Sequence, residues 1–255
     1  MYAEERQQAI AELVQARGRA SVNELAKDFA VTTETVRRDL SVLEVARIVR
    51  RVHGGAVRAA SVVVTERGLD ERDATQAREK ERIARAALGL LPADGGSVLI
   101  DAGSSTGRFA DLLPLDTRLA AFTHGVPIAS RLAALPGVEL HLLPGRVRTT
   151  TQAAVGSETV QAVENLRVDV AFLGANGISV EHGFSTPDPE EAAVKRAIVR
   201  AARRVVVLAD STKFGLDATV SFALLEDVDV VVTDAVTADL PLNVLRDAGI
   251  EVVIV

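Results

Sequence analysis

The sequence predicts an α/β protein in two parts: a small helical head ending in a hairpin, and a larger domain built on a mostly parallel sheet. Three observations predict it. Helical periodicity and cap residues fill the first 45 positions. A basic stretch, RRVHGGAVR, follows with the composition of a tight hairpin. Strand-length apolar runs then recur with helical stretches between them, the pattern of a sheet covered on both faces. At 255 residues the chain has room for two domains.

In the head, residues 4–16 place Ile10, Leu13 and Val14 on one stripe, and Gly18 stands where a helix would stop. Ser21 and Glu24 have capping-box spacing and open a short helix over 22–29, whose inner face is Leu25, Ala26 and Phe29. Ala30-Val31 makes the turn, and Thr32 caps a third helix reaching Val45. Val36, Leu40 and Leu43 point inward on that helix, which turns Thr33, Glu34, Thr35, Arg37 and Arg38 outward. Residues 47–52 then read as a strand, His53-Gly54-Gly55 as a turn whose glycines supply positive φ, and 56–58 as the returning strand.

A polar helix face followed by an acid-free basic ribbon fits a duplex surface: a winged helix-turn-helix over 1–58. The early residues of the third helix would reach base edges, and Arg50, Arg51 and His53 would meet phosphates or the minor groove. The net charge of −6 does not oppose this. Residues 1–58 carry ten Lys/Arg against eight Asp/Glu, and 47–58 hold four arginines and no acid. Local charge decides phosphate binding, because screening sets in within about 8 Å at physiological salt.

Residues 59–75 lack periodicity and read as a linker to a domain over 76–255. Residues 78–91 are amphipathic, and strands are expected at 98–101, 119–123, 138–143, 168–174, 205–209, 228–233 and 252–255. Polar residues gather at the carboxyl ends of these strands, where parallel sheets bind ligands. Asp101-Ala-Gly103-Ser104-Ser105-Thr106 follows a strand and opens a helix, so hydroxyls and helix N–H groups would face an anion, with phosphate the natural ligand. Thr123-His124, Gly174-Ala-Asn176-Gly177 and Asp210-Ser-Thr-Lys213 end other strands. Lys195 on a later helix and Arg146 after Pro144-Gly145 could add positive charge, and Arg148 could join Arg146 at a second anionic group.

Arg37-Arg38-Asp39-Leu40 and Arg51-Val52-His53-Gly54-Gly55-Ala56 resemble the signature of the DeoR family of bacterial transcription regulators. Thr32 stands where that family often has Ser, and Arg47 where it usually has Gly, which would reshape the turn into the wing. Residues 78–234 resemble the family's sensor domain, whose fold is similar to ribose-5-phosphate isomerase and the CoA transferases. The family's GTTT phosphate loop becomes Gly103-Ser104-Ser105-Thr106, and its TNS element becomes Thr123-His124-Gly125. LPGRVRTTTQAAVG and STPDPEEAAVKR look most like actinobacterial repressors of fructose utilisation. The resemblance implies a cytoplasmic homo-oligomer, dimer or tetramer, that binds a double-stranded DNA operator and is released by a phosphorylated sugar, a fructose phosphate.

Other classes fit less well. The chain is 48% hydrophobic with Trp 0, Tyr 1 and Phe 7, which leaves few rings for stacking on single strands. Zero cysteines exclude disulfides, thiolate metal sites and cysteine nucleophiles. No apolar run approaches a membrane span, and neither metal, cofactor nor catalytic residues are expected. A sugar-phosphate isomerase with a DNA-binding head would need carboxylates to move a proton, and Leu173-Gly174-Ala175-Asn176 stands where that enzyme's acidic motif would align. An architectural DNA binder without effector accounts for the sheet but leaves the polar strand ends unexplained.

Overall fold

A computed structural model describes the chain except residues 1, 18, 47, 53, 59–65, 238 and 239, and the side chains of 15–17, 19, 50, 57 and 58. The expectations for Gly18, Arg47, His53 and the Arg50 side chain therefore lie outside the described residues. The chain divides into two compact units, Met1–Ser61 and Val62–Val255.

The first unit runs α1 (Ala3–Arg17), β1 (Arg19–Ser21), α2 (Val22–Asp28), α3 (Thr33–Val45), β2 (Val49–Val52) and β3 (Gly55–Arg58). The capping box forms: Glu24 N donates to Ser21 Oγ at 3.1 Å, and Ser21 N to Glu24 Oε2 at 3.0 Å. Thr32 Oγ1 caps α3 by accepting from Thr35 N at 3.2 Å. Ile10, Val14, Leu25, Val36, Leu40 and Leu43 close on one core, joined by Val49 and Ala56 from the hairpin. Asp39, a motif residue on α3, is buried and accepts from Arg6 Nε at 2.6 Å and Gln7 Nε2 at 2.9 Å, so it holds α1 to α3.

Two details depart from expectation. A third strand, β1, too short to show in the sequence pattern, pairs with β3 in a sheet ordered β1-β3-β2. Only Gly54 has positive φ, at 84°; Gly55 is small for another reason, since a Cβ there would lie 2.4 Å from Ala20 O. In the turn between α2 and α3, Ala30 sits at φ 51°. A left-handed L-residue costs about 1–2 kcal/mol and glycine's extra chain entropy about 0.5–1 kcal/mol, so Ala30→Gly is expected to stabilise the unit by roughly 0.5–1 kcal/mol. Urea unfolding followed by helical circular dichroism checks this; a lower midpoint in the variant would refute it.

The second unit begins with α4 (Leu69–Ala74) and α5 (Ala77–Ala87), followed by β4 (Ser97–Ile100), α6 (Ser104–Asp111), β5 (Leu119–Thr123), α7 (Val126–Leu132) and β6 (Val138–Leu142). A hairpin, β7 (Arg146–Arg148) and β8 (Ala153–Val155), leads to α8 (Ser157–Glu164) and β9 (Val168–Leu173). Then come β10 (Gly177–Ser179), β11 (Gly183–Thr186), α9 (Pro189–Ala201), β12 (Ala202–Leu208), β13 (Val220–Ala223), β14 (Val230–Thr233), α10 (Leu242–Asp247) and β15 (Glu251–Ile254). All seven expected strands form one parallel sheet, ordered β15-β14-β12-β9-β4-β5-β6. Alternation along the strands splits the core: Leu99, Ala171, Leu173, Val205, Val207 and Val231 pack on one face, and Val98, Ile100, Phe172, Val206, Leu208 and Val232 on the other. The strand order reverses between β4 and β9, where doubly wound sheets open a crevice at their carboxyl ends.

The stretch read as a linker needs correction. Residues 69–74 are helical, and α4 is tied down on several sides. Leu69 N donates to Thr150 O at 3.0 Å, Arg108 grips the Asp73 carboxylate at 2.9 Å, and Lys80 Nζ caps the helix end through Arg72 O and, at 2.7 Å, Thr75 O. Six residues are too few to show periodicity, and tertiary partners hold the helix in place of an apolar face. The short strands β7, β8, β10, β11 and β13 were invisible for the same reason.

Candidate functional site

On the first unit, α3 presents Glu34, Arg37 and Arg38 to solvent, with Thr33 and Thr35 half-buried. Arg37 stands 3.6 Å from Glu34, a weak exposed pair. Arg38 has no ion-pair partner among the described residues. Arg51 is exposed; its backbone N donates to Glu44 Oε1 at 3.0 Å and its guanidinium to Ser41 Oγ at 2.8 Å, bonds that fasten the wing to α3.

On the second unit the polar strand ends divide into two groups. Asp101, at the end of β4, is fully buried. Its Oδ2 accepts from Lys195 Nζ on α9 and from Gly174 N after β9 at 3.0 Å, and its Oδ1 lies 3.0 Å from His124 Nε2 after β5. Lys195 Nζ also donates to Gly174 O at 2.9 Å, and His124 Nδ1 to Ala154 O at 2.8 Å. Burial pushes the Asp101 carboxyl up, but the Lys195 charge and the His124 contact outweigh it and hold the group at about 2. Thr123 Oγ1 donates to Ile100 O at 2.7 Å, and Thr106 Oγ1 to Gly103 O at 3.1 Å.

Asp101, Thr106, Thr123, His124, Gly174 and Lys195 were expected to contact a ligand. They are instead taken up by one another or by the backbone, because the switch point between β4 and β9 is filled by this buried network. Asn176 Oδ1 accepts from Thr186 Oγ1 at 3.2 Å, and Gly177 packs so closely that a Cβ would lie 2.5 Å from Leu216 O. Arg146 is exposed and paired with Glu190. Arg148 belongs to a largely buried cluster with Glu66, Asp188, Glu191 and Thr151. Burial would lower its pKa, but Glu66 and Glu191 outweigh that and raise it, so it is not free for a second anion.

The second group is open. Gly103 and Ser104 at the start of α6 line a cavity of about 200 Å³ together with Gly125, Pro127 and Arg131 from the α7 side, Thr151 and Gln152 at the hairpin turn, and Leu69, Asp70 and Asp73 from α4. Ser104 and Ser105 are largely buried residues, and their hydroxyls have no hydrogen-bond partner among the described residues. The first N–H groups of a helix have no intrahelical acceptor, so the start of α6 offers an anion a ready set of donors. Lys213, in a turn capped by Asp210, is half-buried without an ion-pair partner among the described residues; burial lowers its pKa, against the opposing effect of Asp210. Sequence reasoning missed α4, Gln152 and Arg131, whose part in the cavity depends on contacts remote in the chain.

Residues 6–62 match the DeoR-like helix-turn-helix domain and residues 75–235 the DeoR C terminal sensor domain. The chain belongs to the DeoR family. The family's glycerol-3-phosphate regulon repressor from Escherichia coli K12 is 33% identical, covering 97% of both chains. The uncharacterized HTH-type transcriptional regulator FruR of Bacillus subtilis 168 is 33% identical, covering 92% of both. A ribose 5-phosphate isomerase A structure from Methanocaldococcus jannaschii matches 55% of each chain at 16% identity, with a TM-score of 0.41. Family membership makes the chain a transcriptional regulator rather than an enzyme. Among the described residues no helix is long and apolar enough to cross a membrane.

Proposed function

We propose that this regulator represses a sugar-utilisation operon and leaves its operator when a phosphorylated sugar, a fructose phosphate, fills the cavity over α6. The single observation that carries the effector half is the unpartnered hydroxyl of Ser104, a largely buried residue that lines that cavity at a helix start. The name of the glycerol-3-phosphate regulon repressor supports a phosphorylated effector. The phosphate would sit on Gly103, Ser104 and Ser105, with Lys213 as a nearby source of positive charge. Asp101, Thr123, His124, Gly174 and Lys195 would hold the strand ends that shape the site.

On the DNA side, Thr33, Glu34, Thr35, Arg37 and Arg38 would face base edges in the major groove, with Arg50 and His53 of the wing near phosphates and Arg51, Gly54 and Gly55 setting the wing's shape. Acting in the cytoplasm as a homo-oligomer, paired heads would grip half-sites about 10 base pairs apart or a multiple of that. The effector releases DNA only by preferring one arrangement of the heads, since equal affinity for both shifts nothing.

Operator binding measured with and without a panel of phosphorylated sugars tests both halves. Release by one of them is the expected result, and indifference to all of them sinks the effector reading. Arg37→Ala is expected to weaken specific binding by about 1–3 kcal/mol through a lost guanine contact. Arg50→Ala is expected to weaken binding to every sequence and flatten its salt dependence. Equal loss on specific and random DNA for Arg37→Ala would remove α3 from base reading.

A further inference from the structure

The cavity over α6 is polar in two opposite senses. Its α6 side offers helix N–H groups and the Ser104 hydroxyl, with the Arg131 guanidinium close against Gly107 one turn further on. Its α4 side offers carboxylates: Asp73 is engaged by Arg108, but Asp70 has no hydrogen-bond or ion-pair partner among the described residues. The third wall is Gln152, whose side chain is likewise unpartnered and whose φ is 53°, a left-handed conformation that costs a non-glycine residue energy. The turn is fixed in that strained form because Gln152 N donates to Arg148 O at 2.8 Å and Gln152 O accepts from Val126 N at 2.9 Å.

We propose that Asp70 and Gln152 hold the sugar hydroxyls of the effector while α6 takes its phosphate, so that the ligand is recognised in part by the segment leading out of the DNA-binding unit. The inference rests on the effector reading above and adds its orientation and its route of regulation. A carboxylate accepts hydroxyl hydrogen bonds and repels phosphate, so the ligand enters one way round. A cavity of about 200 Å³ has room for a small sugar phosphate. A ligand bonded to both Asp70 and Ser104 ties α4 to α6. Because α4 begins eight residues after Ser61 in the chain, that tie acts on the segment that follows the DNA-binding unit.

The test uses the full chain, titrated calorimetrically with fructose 1-phosphate, fructose 6-phosphate, glycerol 3-phosphate and inorganic phosphate. Asp70→Asn is expected to lose about tenfold affinity for the sugar phosphate that the wild type binds, the loss from one hydrogen bond to a charged group. The same variant should bind inorganic phosphate as tightly as wild type or more tightly, a sign that a folding defect would not give. Gln152→Gly should show a similar loss of sugar phosphate with no fall in its ligand-free melting temperature, because glycine tolerates the positive φ. Wild-type affinity for sugar phosphate in both variants, or parallel loss of inorganic phosphate, overturns the proposal while leaving the effector site standing. Failure of the wild type to bind any phosphorylated sugar overturns the effector reading, and this inference with it.

Discussion

Asp101→Asn is expected to destabilise the second unit by about 3–5 kcal/mol, because it removes one partner of a buried ion pair and strands the other. The stranded charge is Lys195, left with Gly174 O and the face of Phe222, whose ring centre is 5.2 Å from Nζ. The amide would also set an N–H or a weaker acceptor against Gly174 N and His124, which now meet a carboxylate. Denaturant unfolding followed by a probe in the second unit measures the loss. Asp101→Asn combined with Lys195→Met should recover much of it, since the pair is then replaced rather than broken. A single variant within about 0.5 kcal/mol of wild type would show that the pair carries no such weight.

The pH dependence follows from the same group. Its folded pKa, about 2, lies below the ordinary 3.8, so the carboxylate is the form that folding favours. The stabilisation is complete above the unfolded value and is lost as pH falls through the folded one. Acid unfolding of the second unit should therefore shift to higher pH in the Asp101→Asn variant.

Gly55→Ala is expected to cost the first unit about 1–3 kcal/mol, the usual range for overpacking, and to weaken operator binding through the wing. The new methyl would lie 2.4 Å from Ala20 O and 3.0 Å from Ser21 Cα, and backbone atoms cannot swing aside. The Ser21–Gly55 register of β1 and β3 would have to open, releasing the edge of the wing sheet. Gly54→Ala makes the control: nothing lies within 4 Å of its Cβ, so its cost is only the positive φ, about 1–2 kcal/mol. Gly54→Ala would keep the β1–β3 pairing and Gly55→Ala would lose it, as read by amide hydrogen exchange at Ala20 and Ala56. Identical exchange in the two variants would refute the packing account.

The wing shows how far the sequence could be read. Its glycine pair marked a hairpin correctly, but the two residues serve different ends: one sets φ and the other makes room for a strand 35 residues away in the chain. The motif residue Asp39 was legible as part of a helix, yet its pairing with Arg6 and Gln7 came only with the packing of α1 on α3. In the sheet, apolar runs located all seven strands because burial on both faces leaves little choice of residue. The same logic failed for α4 and the short strands outside the parallel sheet, where long-range hydrogen bonds decide the backbone.

The site divides along the same line. By itself the sequence determined the two-part architecture, the outward face of α3, the strand ends of the parallel sheet and the helix start at Gly103-Ser104, because caps, periodicity and glycine are local constraints. Only the tertiary structure decided which polar strand ends are open. Asp101, His124 and Lys195 have the chemistry of ligand contacts, but their approach at the switch point between β4 and β9 makes them each other's partners. A few residues away, Ser104 is left without one and faces a cavity walled by α4. Desolvation is the reason: a buried charge must be paired wherever the fold puts it, and which partner arrives depends on the packing of distant elements rather than on the neighbouring residues.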